Sequence, residues 1–589
     1  MSTIKEQPEP TSAPSMSPGI VANVRTDLSR LGRKFTTRHG WVGDYDYAWL
    51  CMPSLPFARG RKTRRPPPFY SLDADMPLVL AIACGLQHAL AMLAGLITPP
   101  IIFASSLNLD ASTSAYMISA SLIGCGILSS VQMSRLPLGR GYYLGTGLLS
   151  VVGTSFATLS TANSIFNAMY ADGTCPTITA ADGTTSRGAC PDAYGMVLGT
   201  SLVASFLEIF LSFVPARALK RVFPPMVTGT VILMIGASLV GSSGIPNWGG
   251  GSNNCQSRPS SGIFQLCPTI NAPRPLPWGS PEFIGLGFLS FVSIILTELF
   301  GSPFMKNISI IVGLAVGCIV AGAVGYIDSS NINSAPAITF LWVHTFKIRV
   351  YGPAVLPMLA VYISLMMEAI GDITATAEVS RLEVDGEEFD SRIQGGLLSD
   401  GIGGFLSALF TVTPLSVFAQ NNGVVAITRC ANRSAGRWCC FFLLLFGIIG
   451  KISGVFLSIP NSVLGGVTTF LFASVAVSGL RVLSFLSFTR RDRFVLAAAL
   501  SFGFGNLLVP DIFTHLFDNV VANRALQGFL NSITIILETP FLIAGLVAVV
   551  LNLILPHEHP EPIDGPSTDA EIVAAEEHLS SERDSVHKA

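Results

Sequence analysis

The sequence predicts an all-α polytopic membrane protein with fourteen transmembrane segments in two inverted seven-span repeats. Three observations carry that prediction. Half of the 589 residues are hydrophobic and only 12% are charged, against about 25% charge in a soluble chain, and mean hydropathy is +0.56. Such a chain cannot cover itself with polar surface, so lipid must be its solvent. Apolar windows long enough to cross about 30 Å of hydrocarbon recur along its length. Polar interruptions fall at corresponding places in the two halves of that series.

Continuous windows lie near 78–103, 112–132, 194–214, 223–242, 282–300, 307–325, 353–374, 440–458, 462–480, 494–510 and 529–555. Three more, near 142–170, 395–412 and 413–430, are interrupted by Gly, Pro, Ser, Thr, Asn or Gln. Together they make fourteen spans, an even number that leaves both tails on one side. Positive charge chooses the side. With the N-terminus inside, the inner loops take Arg135 and Arg140, Arg217 with Lys220 and Arg221, Arg433 with Arg437, and Arg481 with Arg490, Arg491 and Arg493. The longer outer loops hold only Arg187, Arg258, Arg274, Lys347, Arg349 and Arg524. Both termini are therefore expected in the cytosol, and no cleaved signal peptide is visible in the polar, Pro-rich first stretch.

The cysteines agree with this topology. Cys175 and Cys190 share one outer loop, and Cys255 and Cys267 share the next. Paired thiols in oxidising loops point to disulfides, the alternative being four free thiols. A net charge of -2 gives no sign of a nucleic-acid partner, and the eight histidines and eleven cysteines form no zinc spacing. No Gly-rich phosphate loop is present, which disfavours an ATP-driven pump. Neither a metal nor a cofactor is expected.

Seven spans per half turn the second half upside down relative to the first. Pairing the halves aligns span one, with Gln87 and His88, to span eight, with Glu368 and Asp372. It also aligns Val152-Gly153-Thr154-Ser155-Phe156 in span three to Val417-Phe418-Ala419-Gln420-Asn421 in span ten. Interrupted segments at matching positions of inverted halves are the sequence pointer to a transport site; chance spacing among Gly-rich helices is the alternative. Gly153 and the hydroxyls of Thr154 and Ser155 interrupt span three, and Thr413-Pro414 opens span ten. Proline at an opening starts structure without breaking it. A few extended residues are expected before each half-helix, whose N-terminus adds partial positive charge to a cavity.

The run Gln420-Asn421-Asn422-Gly423-Val424-Val425-Ala426-Ile427-Thr428-Arg429 places amides where the chain should cross lipid, which argues for a polar cavity there. Its pattern is Gln, Glu or Pro, then Asn-x-Gly, four residues and Thr-Arg. In this it resembles the signature of the nucleobase–ascorbate transporter family. Gln87-His88, Thr154-Ser155-Phe156, Met366-Met367-Glu368-Ala369-Ile370-Gly371-Asp372 and Ser399-Asp400-Gly401-Ile402-Gly403-Gly404 strengthen the resemblance, above all to fungal xanthine–uric acid permeases. It covers roughly residues 44 to 555.

What the resemblance implies is a proton-coupled symporter that imports oxidised purines across the plasma membrane. Spans 1–4 (77–215) and 8–11 (351–459) would form a core domain, and spans 5–7 (216–350) and 12–14 (460–555) a gate domain. Tails of 1–76 and 556–589 would flank them. It also implies a homodimer in lipid, joined mainly through the gate domains, and elevator-type movement of the core. In the family a Gln at the first motif position goes with xanthine and urate, Glu with uracil and other specificities, and Pro with ascorbate. Within the family the alternative is a uracil, hypoxanthine–guanine or broad purine carrier. An anion exchanger of the same architecture would call for a basic residue at the site. A membrane enzyme is disfavoured because no catalytic constellation appears.

Side-chain chemistry then assigns roles. A mid-membrane carboxylate costs ~2.5–3.5 kcal/mol on insertion scales, so an unused Glu368 is improbable. Its two oxygens can accept from adjacent ring N–H groups, unless it is a structural carboxylate held by backbone amides. Gln420 offers a carbonyl and an amide donor, matching the alternating edge of an oxidised purine. Phe156 would stack on the ring, and Ser155, Phe418 and Ala419 would line the site, with the backbone amides of Phe156 and Ala419 as donors. Asp400 and Asp372 are candidates for proton handling, or else pin helices together. Asn421 braces the site, and Gly423 is expected to let backbone pass closely. His88, with Gln87 beside it, acts more as a hydrogen-bond brace than as a titrating group. Thr428 and Arg429 complete the motif. Lys451 is paired or snorkelling. Thr539-Pro540-Phe541 breaks the last span, as part of a gate through Thr539 and Phe541 or as a packing kink. In the N-tail, Asp44-Tyr45-Asp46-Tyr47-Ala48 resembles an acidic-tyrosine export element, and the acidic C-tail is expected to be solvated and to serve turnover or sorting.

Overall fold

The computed structural model describes residues 36–53, 68–139, 141–179, 185–250, 278–327, 329–510, 512–517, 520 and 523–556. Its first half places α1 (Leu78–Ser106), α2 (Ala111–Gln132), the strand β1 (Val152–Thr154), α3 (Phe156–Ala171), α4 (Pro191–Leu211), α5 (Pro225–Leu239), α6 (Pro281–Phe300) and α7 (Ser309–Ala323) in order. The second half places α8 (Val355–Val379), α9 (Glu387–Leu409), the strand β2 (Leu415–Val417), α10 (Gln420–Thr428), α11 (Arg433–Ile448), α12 (Gly450–Leu457), α13 (Asn461–Leu483), α14 (Arg490–Leu508), α15 (Arg524–Glu538) and α16 (Pro540–Ile554). Prolines open α4, α5, α6 and α16, where the missing N–H would have had no helical partner.

Among the described residues, seven helices are long and apolar enough to cross a membrane, or nine if each of two bent pairs counts as one span. One bent pair corrects a window read as straight, and the other falls at the break expected at Thr539-Pro540-Phe541. Window 440–458 breaks between α11 and α12 by 78°. There Gly450 lies so close to the Pro336 carbonyl that a Cβ would sit 2.5 Å from it. Lys451, one residue on, donates its ammonium protons to the carbonyls of Ile332 and Asn333 at 2.9 and 3.1 Å. Window 529–555 turns by 91° between α15 and α16, far beyond a kink, because Pro540 cannot donate back to α15 and starts a new helix instead.

Two groups of helices pack mainly among themselves, with α1 against α7 and α13, and α15 against α3 and α8, crossing between them. In one, α11 lies against α1 and α2, and α4 against α8 and α9. In the other, α13 lies against α5 and α6, α6 against α7, and α16 against α5 and α14. The strands, α3 and α10 belong to the first group, while α3 and α8 also touch α5 across the boundary. Small residues set the close crossings: at Gly236 a Cβ would fall 2.3 Å from the Ala476 nitrogen of α13.

Outside the helices, Cys175 and Cys190 are joined by a disulfide with their Cα atoms 5.6 Å apart. Cys255, Cys267 and the C-tail from 557 lie outside the described residues. In the N-tail, Asp46 caps a short helix, Tyr47–Cys51, by accepting from the Trp49 N–H at 3.0 Å. Tyr45 beside it is buried against Met76 and Cys430.

Candidate functional site

The two interrupted segments meet in the middle of the protein. Strands β1 and β2 pair antiparallel, Val152 opposite Val417, Gly153 opposite Ser416 and Thr154 opposite Leu415. Ser155 N–H donates to the Pro414 carbonyl at 3.0 Å and Phe418 N–H to the Val151 carbonyl at 3.1 Å. An extended segment in lipid must satisfy its backbone, and each strand does so with the other. The pair can exist only because neighbouring residues are small. A Cβ on Gly153 would lie 2.6 Å from the Phe418 ring, and one on Gly95 of α1 would lie 2.7 Å from it.

Each strand delivers the chain into a helix N-terminus facing the same space. Ser155 caps α3 by accepting from Thr158 N–H at 3.2 Å, and α10 begins at Gln420. The space is a cavity of about 580 Å³, within the range of small-molecule sites. Glu368 and Asp372 line it from one face of α8, a helical turn apart. Ser155, Phe156, Phe418, Ala419 and Gln420 line it from the strand ends, and Thr228, Ser474 and Ser478 from α5 and α13 opposite. Its mouth is flanked by Glu378 of α8 and Arg481 of α13, whose charged atoms are 3.9 Å apart with both side chains about 60% exposed.

Phe156 is already stacked. Its ring lies 5.4 Å from that of Phe418 at 18°, and Phe472 meets it edge-on at 5.6 Å. One face of the predicted stacking platform is therefore occupied by Phe418, and a flat ligand would meet the remaining surface.

Other predicted site residues stand behind the lining. Asn421 is buried; its amide nitrogen donates to the carbonyls of Val151 and Phe418 at 3.1 and 3.3 Å. Its oxygen lies 3.1 Å from His88 Nδ1. Gln87 turns the other way and accepts from Asn307 Nδ2 at 3.2 Å, ahead of α7. Asp400 is off the cavity lining but accepts at 2.8 Å from the hydroxyl of Ser416, which lines it. Thr428 closes α10, donating to the Val424 carbonyl at 2.7 Å. Arg429 ends that helix at φ 57°, and its carbonyl accepts from Tyr70 N–H at 2.9 Å. The Thr428-Arg429 end of the motif is thus a helix stop pinned to the segment before α1.

Gly423 departs from the close-approach reading. A Cβ built there meets nothing within 4 Å, and the residue lines the cavity; it keeps space open instead of admitting backbone. Thr539 and Phe541 are fully buried and off the cavity lining. Thr539 donates to the Ile535 carbonyl at 2.7 Å and reaches Ser164 of α3 at 3.4 Å. One buried acid escaped the sequence reading altogether: Glu208, in the last turn of α4. The insertion-cost argument used for Glu368 applies equally to it.

At the loop before β1, Arg135 donates to Glu388 Oε1 at 2.9 Å and Arg392 does so at 2.7 Å. The Arg135 hydrogen bond, with the Arg392 charge behind it, holds the Glu388 carboxyl below the usual carboxylate range.

Residues 80–512 match the Permease family (Xan_ur_permease). A purine permease of Emericella nidulans is 54% identical over 91% of this chain and 91% of its own length. A uric acid-xanthine permease of the same organism is 51% identical over 91% of each chain. The xanthine permease XanQ of Escherichia coli is 33% identical over 83% of this chain and 93% of its own.

Proposed function

This chain belongs to the Permease family, and on that premise we propose that it imports oxidised purines, xanthine and uric acid, across the plasma membrane together with protons. It is a multi-pass transporter and no enzyme: its relatives are named permeases. The observation that carries the substrate reading is the pairing of Glu368 and Gln420 on the wall of one cavity. A carboxylate accepts from two adjacent N–H groups of a purine, and an amide answers a neighbouring C=O and N–H edge. Two helix N-termini beside them favour carbonyl oxygens or a urate anion. The names of the relatives, which carry purine, xanthine and uric acid, support the same class.

In this reading the first helix group, with α3, α10 and the strands, is the substrate-bearing core. The second group is a gate that also joins two copies in the lipid. The cavity mouth at Glu378 and Arg481 faces the cytosol if both termini do. Transport then requires the core to slide past α5 and α13 and bring the cavity to the other side, an elevator movement over fourteen spans. One inward charge through 100 mV releases ~2.3 kcal/mol, which sustains roughly fortyfold accumulation of a neutral purine at ~1.4 kcal/mol per decade.

The test is radiolabelled xanthine uptake in cells lacking purine transport. The intact chain should take up xanthine, with competition by urate and little by uracil. Glu368→Ala and Gln420→Ala should abolish or strongly weaken uptake at normal surface level. Removing a desolvated charged partner costs about 2–5 kcal/mol, at least tenfold in affinity. Competition by uracil or by bicarbonate and sulfate in place of urate would replace this reading with another carrier class.

A further inference from the structure

Glu208 is fully buried in α4, and among the described residues neither carboxyl oxygen has a hydrogen-bond donor. It sits where α4 crosses α9 beside Asp400: a Cβ on the next residue, Gly401, would stand 3.3 Å from the Glu208 carbonyl carbon. The helices come this close because position 401 is glycine: a Cβ there would stand 2.9 Å from the Ile209 nitrogen of α4. Of the two Asp400 oxygens, Oδ2 accepts from Ser416 of β2 at 2.8 Å, while Oδ1 lacks a donor.

Two neighbouring carboxylates shielded from bulk solvent repel each other, which favours the form with one of them protonated. From α8 the pair faces Tyr362, whose hydroxyl is engaged with Ser201 of α4 at 2.9 Å. Glu368 and Asp372 lie further along α8, and both feel the Asp400 charge. Among the described residues, the other elements packed on α4, namely α3 and the turn Gly352–Ala354, bring no acidic or basic side chain. Helix α9 also meets α2, the strand Tyr142–Leu144 and the short helix Ala216–Val222, whose sequence holds Arg217, Lys220 and Arg221. A single proton between the two carboxyls engages two of these three oxygens, one on each residue, and halves the buried charge.

We infer that Glu208 and Asp400 form a shared-proton pair that is the loading site for the coupling proton, with Glu208 its second, unassigned member. The inference rests on the proton-coupled reading above. The pair binds one proton from the outer solution, passing from two negative charges to one, and gives it up to the cytosol. Ser416 connects it to the purine site, since it hydrogen-bonds Asp400 and itself lines the cavity. With the pair protonated, Ser416 keeps its acceptor and β2 its register for substrate. With both acids charged, repulsion loosens the α4–α9 crossing and with it the strand.

The experiment uses the full chain reconstituted in vesicles, with a pH-sensitive dye inside and labelled xanthine outside. Glu208→Gln keeps the shape and removes the titration. It should bind xanthine and perform xanthine exchange, but lose acid-driven accumulation and the accompanying proton influx by at least an order of magnitude. Its binding should no longer vary with pH, a readout that a purely structural Glu208 would not move. Glu208→Asp should restore coupling. Proton-driven accumulation in Glu208→Gln equal to wild type overturns the inference alone. Wild-type accumulation without proton influx overturns the proton-coupled reading and the inference together. Should Glu208→Gln not fold, the infrared difference spectrum of wild type between acid and alkaline pH decides. A protonated-carboxyl band that titrates and is lost in Asp400→Asn supports the pair; no such band overturns it.

Discussion

His88 Nδ1 lies 3.1 Å from Asn421 Oδ1, and this contact fixes the proton on the imidazole. Because the Asn421 amide nitrogen donates to Val151 and Phe418, its oxygen is the atom turned to His88 and can only accept. His88 is therefore the donor, through an Nδ1–H. Span one, the residue before β1 and the start of α10 are tied at one buried amide.

His88→Ala should consequently weaken the fold more than the site. A buried amide oxygen left without its donor costs about 1–3 kcal/mol, seen as a lower melting temperature of the purified protein and reduced surface level. The KM for xanthine in the protein that does reach the membrane should stay close to wild type. A large rise in KM at unchanged stability would place His88 in contact with substrate instead.

The sequence read best where one residue type had one physical use. Gly153 with Thr154 and Ser155, and Thr413-Pro414, marked interruptions, and both became the extended segments β1 and β2. Glu368 and Gln420 were found because neither is tolerable in lipid without a cavity, and both line one. Asp400 obeyed the same rule but meets Ser416, beside Glu208, since insertion cost demands a partner without naming which. Glu208 was hidden inside an otherwise ordinary apolar window. The bend after Ile448 was hidden too, because it depends on Lys451 finding the carbonyls of Ile332 and Asn333 more than a hundred residues away. Gly423 was misread because glycine has two uses, close packing and empty space, and only the neighbours decide.

That emptiness makes Gly423 a specificity test. A Cβ at this position meets nothing within 4 Å, so Gly423→Ala should fold, and should gain up to about 1 kcal/mol from helix propensity. Gly423→Val reaches further into the cavity and should discriminate against urate, which carries one more carbonyl than xanthine. The ratio of urate to xanthine inhibition constants measures this. Loss of folding in Gly423→Ala would restore the close-packing reading.

Glu388 sets a small pH dependence of stability. Its carboxyl is held low in the folded protein by Arg135 and then Arg392. The stabilisation is present above the unfolded value of about 4.3 and is lost as pH falls through the lowered folded value. Its side chain is 68% exposed, so Glu388→Gln should cost less than about 1 kcal/mol at neutral pH. The gap in melting temperature between wild type and variant should close in acid. A gap that widened in acid would assign the effect to another group.

Glu378 and Arg481 make the one prediction that concerns movement. Their side chains lie 3.9 Å apart, more than half exposed, and they join α8 of one helix group to α13 of the other. An exposed pair contributes about 0–1 kcal/mol, so Arg481→Ala should leave the melting temperature nearly unchanged. If the two groups slide during transport, the pair must separate in every cycle and favours the state with the mouth at this position. Arg481→Ala and Glu378→Ala should then shift the transport rate in the same direction by up to about fivefold, the factor that 1 kcal/mol represents. The double variant should do no more than either single one, which is the signature of a shared contact. Raising salt should bring wild type toward the variants, because the pair is open to screening. Additive effects that ignore salt would mean that the two residues act separately, and that this crossing stays fixed while purine passes.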